Sequence, residues 1–191
     1  MAKVRESGMP DESYWDSFFD PACMLSRLGC NERTHDVVEF GCGYGTFTIP
    51  AAKIATGNVY ALDIDPAMTA IVDHKARQHE LSNIVTDVRD FVAAGSGLPD
   101  GAVDLALLFN ILHVEKPIEL LLEAKRVLAP AGRVAIVHWR DDIDTPRGPS
   151  LEIRPSQQQC RQWGEAAGLA LERSEPLECC PWHWGLLMSR A

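Results

Sequence analysis

The chain is 191 residues long, 46% hydrophobic and 24% charged, which suits one globular core; no apolar run approaches the roughly 20 residues that a membrane helix requires. Its net charge of -9, from 18 basic and 27 acidic side chains, argues against broad binding to phosphate backbones and favours a small-molecule partner. Residues 1–7 show no signal-peptide pattern, so a cytoplasmic location without membrane or nucleic-acid partners is expected, and the sequence is silent on oligomeric state.

Residues 11–19 set Trp15, Phe18 and Phe19 at helical spacing for one apolar face. Asp20 and Pro21 then supply a cap and a first-turn proline for a second short helix through Leu28. These helices precede the first strand and read either as a cover packed on the core or as a lid over a ligand. A strand is expected over 36–40, followed by a glycine loop and a helix over about 46–55, in which Pro50 is tolerable near the first turn. The strand 59–62 ends in Asp63, and Asp65-Pro66 starts a helix reaching about Glu80. A third strand is expected over 84–87, then a loop rich in glycine and proline over 95–101. Residues 103–109 form a nearly continuous apolar run, as do 133–137 after a helix over 118–128, and such runs suit parallel strands covered on both faces. Pro130-Ala131-Gly132 is read as a turn between that helix and strand. Residues 140–155 are read as a long loop, Ser156 as the cap of a last helix to about Ala167, and 169–175 with 182–189 as an antiparallel hairpin. The alternation of strand and helix is that of an α/β protein.

Six cysteines, at 23, 30, 42, 160, 179 and 180, contain no CxxC pair, so neither a disulfide framework nor a metal site is signalled and the thiols are expected to be mostly reduced. Cys179 and Cys180 are adjacent, which on an extended segment sends their side chains to opposite faces and away from one shared ion.

The stretch Glu39-Phe40-Gly41-Cys42-Gly43-Tyr44-Gly45-Thr46 carries the chemistry. An acid and three alternate glycines stand between a strand and a helix, the usual cradle for a nucleotide-like ligand. Asp63, about 20 residues on, suits the ribose hydroxyls of a dinucleotide or of another adenosine ligand. The dinucleotide pattern wants a glycine where Thr46 stands, and Glu39 beside the loop would repel a pyrophosphate while attracting a cation.

With these residues in view, the chain resembles the class I S-adenosylmethionine-dependent methyltransferases, of the small single-domain kind related to the quinone-biosynthesis methyltransferases. Residues 39–45 resemble the family's first motif, and Ala61-Leu62-Asp63-Ile64-Asp65-Pro66 its second. Residues 98–104 with Asn110-Ile111-Leu112-His113 resemble its fourth, and 126–133 resemble the turn before its fifth strand, with Ala131 where a second glycine is frequent. The likeness covers about residues 37–139. It implies a Rossmann-like three-layer sandwich whose seven-stranded sheet is mostly parallel with an antiparallel last strand. It also implies one domain over 1–191: a helical lid (1–30), a cofactor-binding core (36–139), and a C-terminal loop, helix and hairpin (140–191).

By the same resemblance the cofactor is S-adenosylmethionine and the product S-adenosylhomocysteine. Gly41, Gly43 and Gly45 would line the methionine and ribose portion, with Glu39 near the ammonium group, partly through water. Asp63 would bind the ribose hydroxyls, Ile64 and Phe91 would sandwich the adenine, and Asp90 would accept from its exocyclic amine, Asp87 being the alternative. The backbone near Asn110 would hold the methionine end. His113, after the fourth strand, is the candidate general base for acceptors that must lose a proton, or else a structural histidine of the loop. His138, Trp139 and Asp141 are weaker candidates for contact with the acceptor. The expected function is methyl transfer to a small molecule by in-line displacement. Its rivals are a non-catalytic S-adenosylmethionine-binding protein and a nicotinamide-dependent oxidoreductase.

Overall fold

The computed structural model describes residues 9–191, so the signal-peptide expectation for residues 1–7 lies outside the described residues. Two short helices come first: α1 (Glu12–Asp16), capped by Asp11, and α2 (Pro21–Arg27), capped by Asp20 with Pro21 in its first turn. The alternating part follows as β1 (Val37–Phe40), α3 (Thr48–Ile54), β2 (Val59–Asp63), α4 (Pro66–Gln78), β3 (Ile84–Val88), α5 (Phe91–Ala94), β4 (Val103–Phe109), α6 (Pro117–Val127) and β5 (Leu128–Trp139). The chain ends with α7 (Gln157–Ala166), β6 (Leu169–Pro176) and β7 (His183–Arg190).

All seven strands form one sheet in the order β3-β2-β1-β4-β5-β7-β6. Neighbours among β1 to β5 pair in parallel, and β7 runs antiparallel to both β5 and β6. The expected architecture is therefore present, reversed strand included. Alternate residues feed opposite faces, as the two-residue period of a strand requires. Val38, Phe40, Ala106, Leu108, Val134 and Ile136 pack towards α6 and α7. Val37, Leu105, Leu107, Phe109, Ala135 and Val137 pack towards α2 and α3. All four residues of β1 are buried, so Glu39 enters the interior along with its apolar neighbours.

Local signals account for most boundaries. Asp65 accepts from the Ala67 amide at 2.8 Å, and Pro66 opens α4. Ser156 and Gln159 form a reciprocal capping box at the start of α7. Helix α3 begins at Thr48, two residues later than expected, because residues 41–47 are spent on the loop; Pro50 then falls in the first turn, where its missing N–H leaves no bond unmade.

Two expectations are corrected. Residues 130–132 are not a separate turn: β5 starts at Leu128 directly after α6, and the surplus residues are absorbed as a register jump, Val103 facing Leu128 and Leu105 facing Arg133. Most thiols are reduced, as expected, but a disulfide that the sequence did not signal joins Cys23 of α2 to Cys179 in the β6–β7 connection, with their Cα atoms 6.6 Å apart. The partners are 156 residues apart, and only tertiary proximity could reveal the pair. The four other cysteines are free and buried. No helix among the described residues is long and apolar enough to cross a membrane.

Candidate functional site

Strand order reverses between β1 and β4, and the carboxyl ends of β1, β2, β4 and β5 open there into a cleft of about 930 Å³. Its volume lies in the upper part of the small-ligand range, which runs to about 1,000 Å³. The cleft floor is the glycine loop. Gly41 and Gly45 hold φ of +83° and +76°, and a Cβ on Gly45 would come within 3.1 Å of Val72 on α4. The amides of Gly41 and Cys42 donate to the Leu62 carbonyl at 2.8 and 2.9 Å, which ties the loop to the end of β2.

Glu39 reaches this floor from inside the sheet. Its side chain accepts from the Thr48 hydroxyl at 2.5 Å and the residue is 2% exposed. Burial raises its carboxyl to a pKa of about 8, the Thr48 bond opposing and the nearby Asp63 charge reinforcing the rise. A buried acid with no cationic partner favours its neutral form, and a ligand bringing a cation would supply the partner the fold omits.

Asp63 closes β2 and is 9% exposed. One carboxylate oxygen accepts from the Gly43 amide at 2.9 Å and the other from the Asp65 amide at 3.0 Å. Burial raises its pKa while these bonds pull it down. Two anchored oxygens with lone pairs to spare suit a diol. Beyond Asp63 lies a largely apolar niche lined by Ile64, Arg89, Asp90, Phe91, Val92, Ile111 and Val114, of which Ile64, Phe91, Ile111 and Val114 also line the main cleft. Phe91 is therefore core and lining at once: it is 7% exposed and packs edge-on against Phe40 at 5.4 Å. Asp90 caps α5 by accepting from the Ala93 amide at 3.0 Å, and it borders the niche. Asp87, the alternative, pairs with Arg89 at 3.1 Å on the exposed edge strand and lines neither space.

Asn110, at the end of β4, has φ of +56°, and both polar atoms of its side chain are buried without a hydrogen-bond partner. A strained, unsatisfied amide on a cleft wall is costly to a fold that has no use for it. Glycine room, a buried acid without a cationic partner, an acid anchored by two amides, a largely apolar niche and an orphaned amide thus stand around one cleft.

His113 lines the cleft, and its Nδ1 lies 3.4 Å from Nε2 of His138. His138 is fully buried on β5, and desolvation holds its pKa well below the usual value, with the charges of His113 and His183 acting in the same direction. Trp139 also lines the cleft, whereas Asp141 is exposed and does not. Helix α1 and the residues before it lie over the loop. Tyr44 donates its hydroxyl to the Pro10 carbonyl at 2.8 Å, Thr46 donates to Asp16 at 2.7 Å, and Lys75 pairs with Glu12. Trp15 lines the cleft from α1.

No sequence signal singled out Phe47, Phe109 or Arg147, which line the cleft, and Thr48, which supports it by bonding Glu39, was not singled out either. Thr48 had the one usable signal, a hydroxyl nine residues beyond an acid that the strand pattern sends inward. Among the described residues, no group of three or more His, Cys, Asp or Glu is arranged to hold a metal ion.

Comparison with known proteins identifies the fold and the family. The family described as "Methyltransferase domain" matches residues 38–136, just over half of the chain. A solved S-adenosylmethionine-dependent methyltransferase from Aquifex aeolicus superposes with a TM-score of 0.78 at 26% identity, covering 93% of each chain. Among curated proteins, a 37.1 kDa protein in transposon TN4556 of Streptomyces fradiae is 29% identical over 79% of this chain and 46% of its own length. Ribosomal protein L11 methyltransferase of Methylococcus capsulatus is 35% identical over 52% of this chain and 32% of its own. The chain thus spans less than half the length of these curated relatives.

Proposed function

The chain belongs to the methyltransferase-domain family, and we propose that it transfers a methyl group from S-adenosylmethionine to a small-molecule acceptor, leaving S-adenosylhomocysteine. The observation that carries this reading is the orphaned Asn110 amide on the same cleft as Glu39 and Asp63, at the strand-order reversal. When bound, the cofactor supplies an electrophilic methyl group for in-line displacement, a reaction whose main demand on a protein is positioning.

The residues divide that task. Glu39 receives the ammonium group, directly or through water, beside the backbone of Gly41, Gly43 and Gly45. Asp63 takes the ribose hydroxyls, Ile64 and Phe91 hold the adenine between them, and Asp90 accepts from its amine. Asn110 fixes the methionine end. His113 hands its Nδ1–H to Nε2 of the neutral His138, which leaves His113 Nε2 as the atom that removes a proton from acceptors requiring it. The segment 1–30 acts as a lid, 36–139 as the cofactor-binding core, and 140–191 as the part that completes the acceptor side. The narrower kinship with quinone-biosynthesis methyltransferases rests on the motifs quoted from the sequence. A protein acceptor, such as the name of the Methylococcus capsulatus relative indicates for that protein, is disfavoured by the covering of the cleft from α1 and the loop after β5.

Titration of the purified protein with S-adenosylmethionine and S-adenosylhomocysteine by calorimetry tests the reading, with saturable binding of both expected and none of NADH. A folded protein that bound NADH and neither of the other two would refute it. Cofactor binding without methylation of any acceptor in a broad screen would favour the non-catalytic alternative.

A further inference from the structure

Helices α1 and α2 are held to the body of the protein in different ways. Helix α2 buries Met24 and Leu25 completely and is crosslinked through Cys23 to Cys179, and the amide of its cap Asp20 donates to the Cys180 sulfur at 3.1 Å. Phe18 anchors the chain just before it: the residue is 5% exposed, and its ring packs edge-on against Trp139 at 5.3 Å and Trp182 at 5.8 Å. Helix α1, by contrast, buries none of its five residues. Its Tyr14 and Trp15 lean on Phe18 and Phe19, each at 4.8 Å between ring centres, and Tyr14 stays 47% exposed. A segment with so little buried apolar area opens at lower free energy than its surroundings, so polar contacts carry much of the task of keeping α1 down.

Those contacts reach the glycine loop and the helix behind it. Thr46 donates to Asp16, and Tyr44 to the Pro10 carbonyl just before the helix. Lys75, on α4, joins both sides: its ammonium donates to the Tyr44 carbonyl at 2.6 Å and pairs with Glu12 of α1. The segment so fastened covers the loop closely. The Met9 methyl lies 3.3 Å from where a Cβ on Gly43 would stand, and Met9, Pro10 and Trp15 line the same cleft as Glu39, Gly43 and Asp63. Lys75 itself is not part of the cleft lining.

Building on the methyltransferase reading, we infer that Lys75 is a positioning residue of the cofactor site, whose bond to Glu12 latches α1 over the glycine loop. Release of the latch lets α1 pivot at Ser17 against the fixed Phe18 and α2, which admits S-adenosylmethionine and frees S-adenosylhomocysteine. A latch that must open for entry and for exit alike sets both rates by one factor and leaves affinity alone. A direct ligand contact would instead act mainly on dissociation.

Hydrogen–deuterium exchange of the full chain, followed by mass spectrometry, reads the latch without any ligand. Stopped-flow tryptophan fluorescence with S-adenosylhomocysteine reads its effect on the site. The side chains of Lys75 and Glu12 are 22% and 39% exposed, which limits the pair to an effect of about fivefold. Glu12→Ala and Lys75→Met should therefore each quicken exchange of the α1 amides by about fivefold and leave those of α2 unchanged. The double variant should be no faster than either single one, because one pair is lost in all three, and Lys75→Arg should restore wild-type exchange. Glu12→Ala leaves the Tyr44 carbonyl its partner. In that variant S-adenosylhomocysteine should associate and dissociate about fivefold faster, with Kd unchanged within about twofold. Additive effects of the two substitutions, faster exchange with unaltered ligand rates, or a Kd that rises through dissociation alone would overturn the inference. If the wild type fails to bind S-adenosylhomocysteine, the methyltransferase reading falls. If it binds but α1 exchange ignores Glu12 and Lys75, only the latch falls.

Discussion

Replacing Glu39 by glutamine should make the ligand-free protein more stable and its cofactor binding weaker. The folded protein holds the Glu39 proton up to a pKa of about 8, against 4.5 for the ordinary side chain. An acid raised on folding contributes no penalty below pH 4.5, destabilises increasingly as pH rises towards 8, and reaches a constant penalty above that. At 1.36 kcal/mol per pH unit the full gap corresponds to about 5 kcal/mol, of which about 3 kcal/mol is already felt at pH 7. Glutamine keeps an oxygen to accept from the Thr48 hydroxyl but cannot ionise. Urea unfolding of the ligand-free wild type and Glu39→Gln should therefore give similar stabilities at pH 5. The variant should be more stable by on the order of 4 kcal/mol at pH 8. In the same samples, S-adenosylhomocysteine affinity at pH 8 should fall by about 2 kcal/mol, roughly 30-fold, because a charge-assisted bond to the ammonium group is lost. Wild-type binding should also release a proton below pH 8, seen as a calorimetric enthalpy that varies with the buffer. If the two stability curves ran parallel from pH 5 to pH 8, Glu39 would not be the buried, proton-holding acid described here.

Asp63→Ala removes the acceptor of the Gly43 and Asp65 amides as well as the expected diol contact, so S-adenosylhomocysteine affinity should drop by about 10- to 100-fold while circular dichroism stays native. Unchanged affinity would take Asp63 out of the ribose role. Asn110→Gly relieves the positive φ and deletes two unpaired buried polar atoms, so stability should rise by about 1 kcal/mol while cofactor affinity falls; a loss of stability would contradict the account of Asn110 as strained for function. Cys23→Ser opens a crosslink spanning 156 residues and should cost about 2–4 kcal/mol in denaturant unfolding, and reduction of the wild type should cost the same; identical midpoints with and without reductant would argue against the bond. Acid should weaken the clasp in which Glu123 accepts from Arg126 and Ser96. Glu123 is held down to a pKa of about 2, chiefly by the Arg126 hydrogen bonds, so its contribution is present above about pH 4.5 and is lost as pH falls towards 2. Glu123→Gln should flatten that part of the stability profile, and an unchanged acid limb would refute the assignment.

The sequence alone determined the alternating fold, because its signals are local. Apolar runs at 37–40 and 103–109, the Asp65-Pro66 and Ser156–Gln159 caps, and glycines whose positive φ excludes other side chains act within a few residues, and the strands and helices stand close to where they indicate. The positions of Glu39, Asp63 and Asn110 on one cleft follow from the same source, since each lies at or beside the carboxyl end of one of the neighbouring parallel strands β1, β2 and β4. What the tertiary structure decided involves residues far apart in the chain. It joined Cys23 to Cys179, set His138 behind His113, and brought Trp15, Phe109 and Arg147 around one space. It also took up residues 129–132, which have no partner on β4, as an irregularity within β5. Burial acts on chemistry in the same non-local way. Nothing in the letters around Glu39 raises its pKa; the removal of water by the packed sheet does, and only the folded chain supplies it.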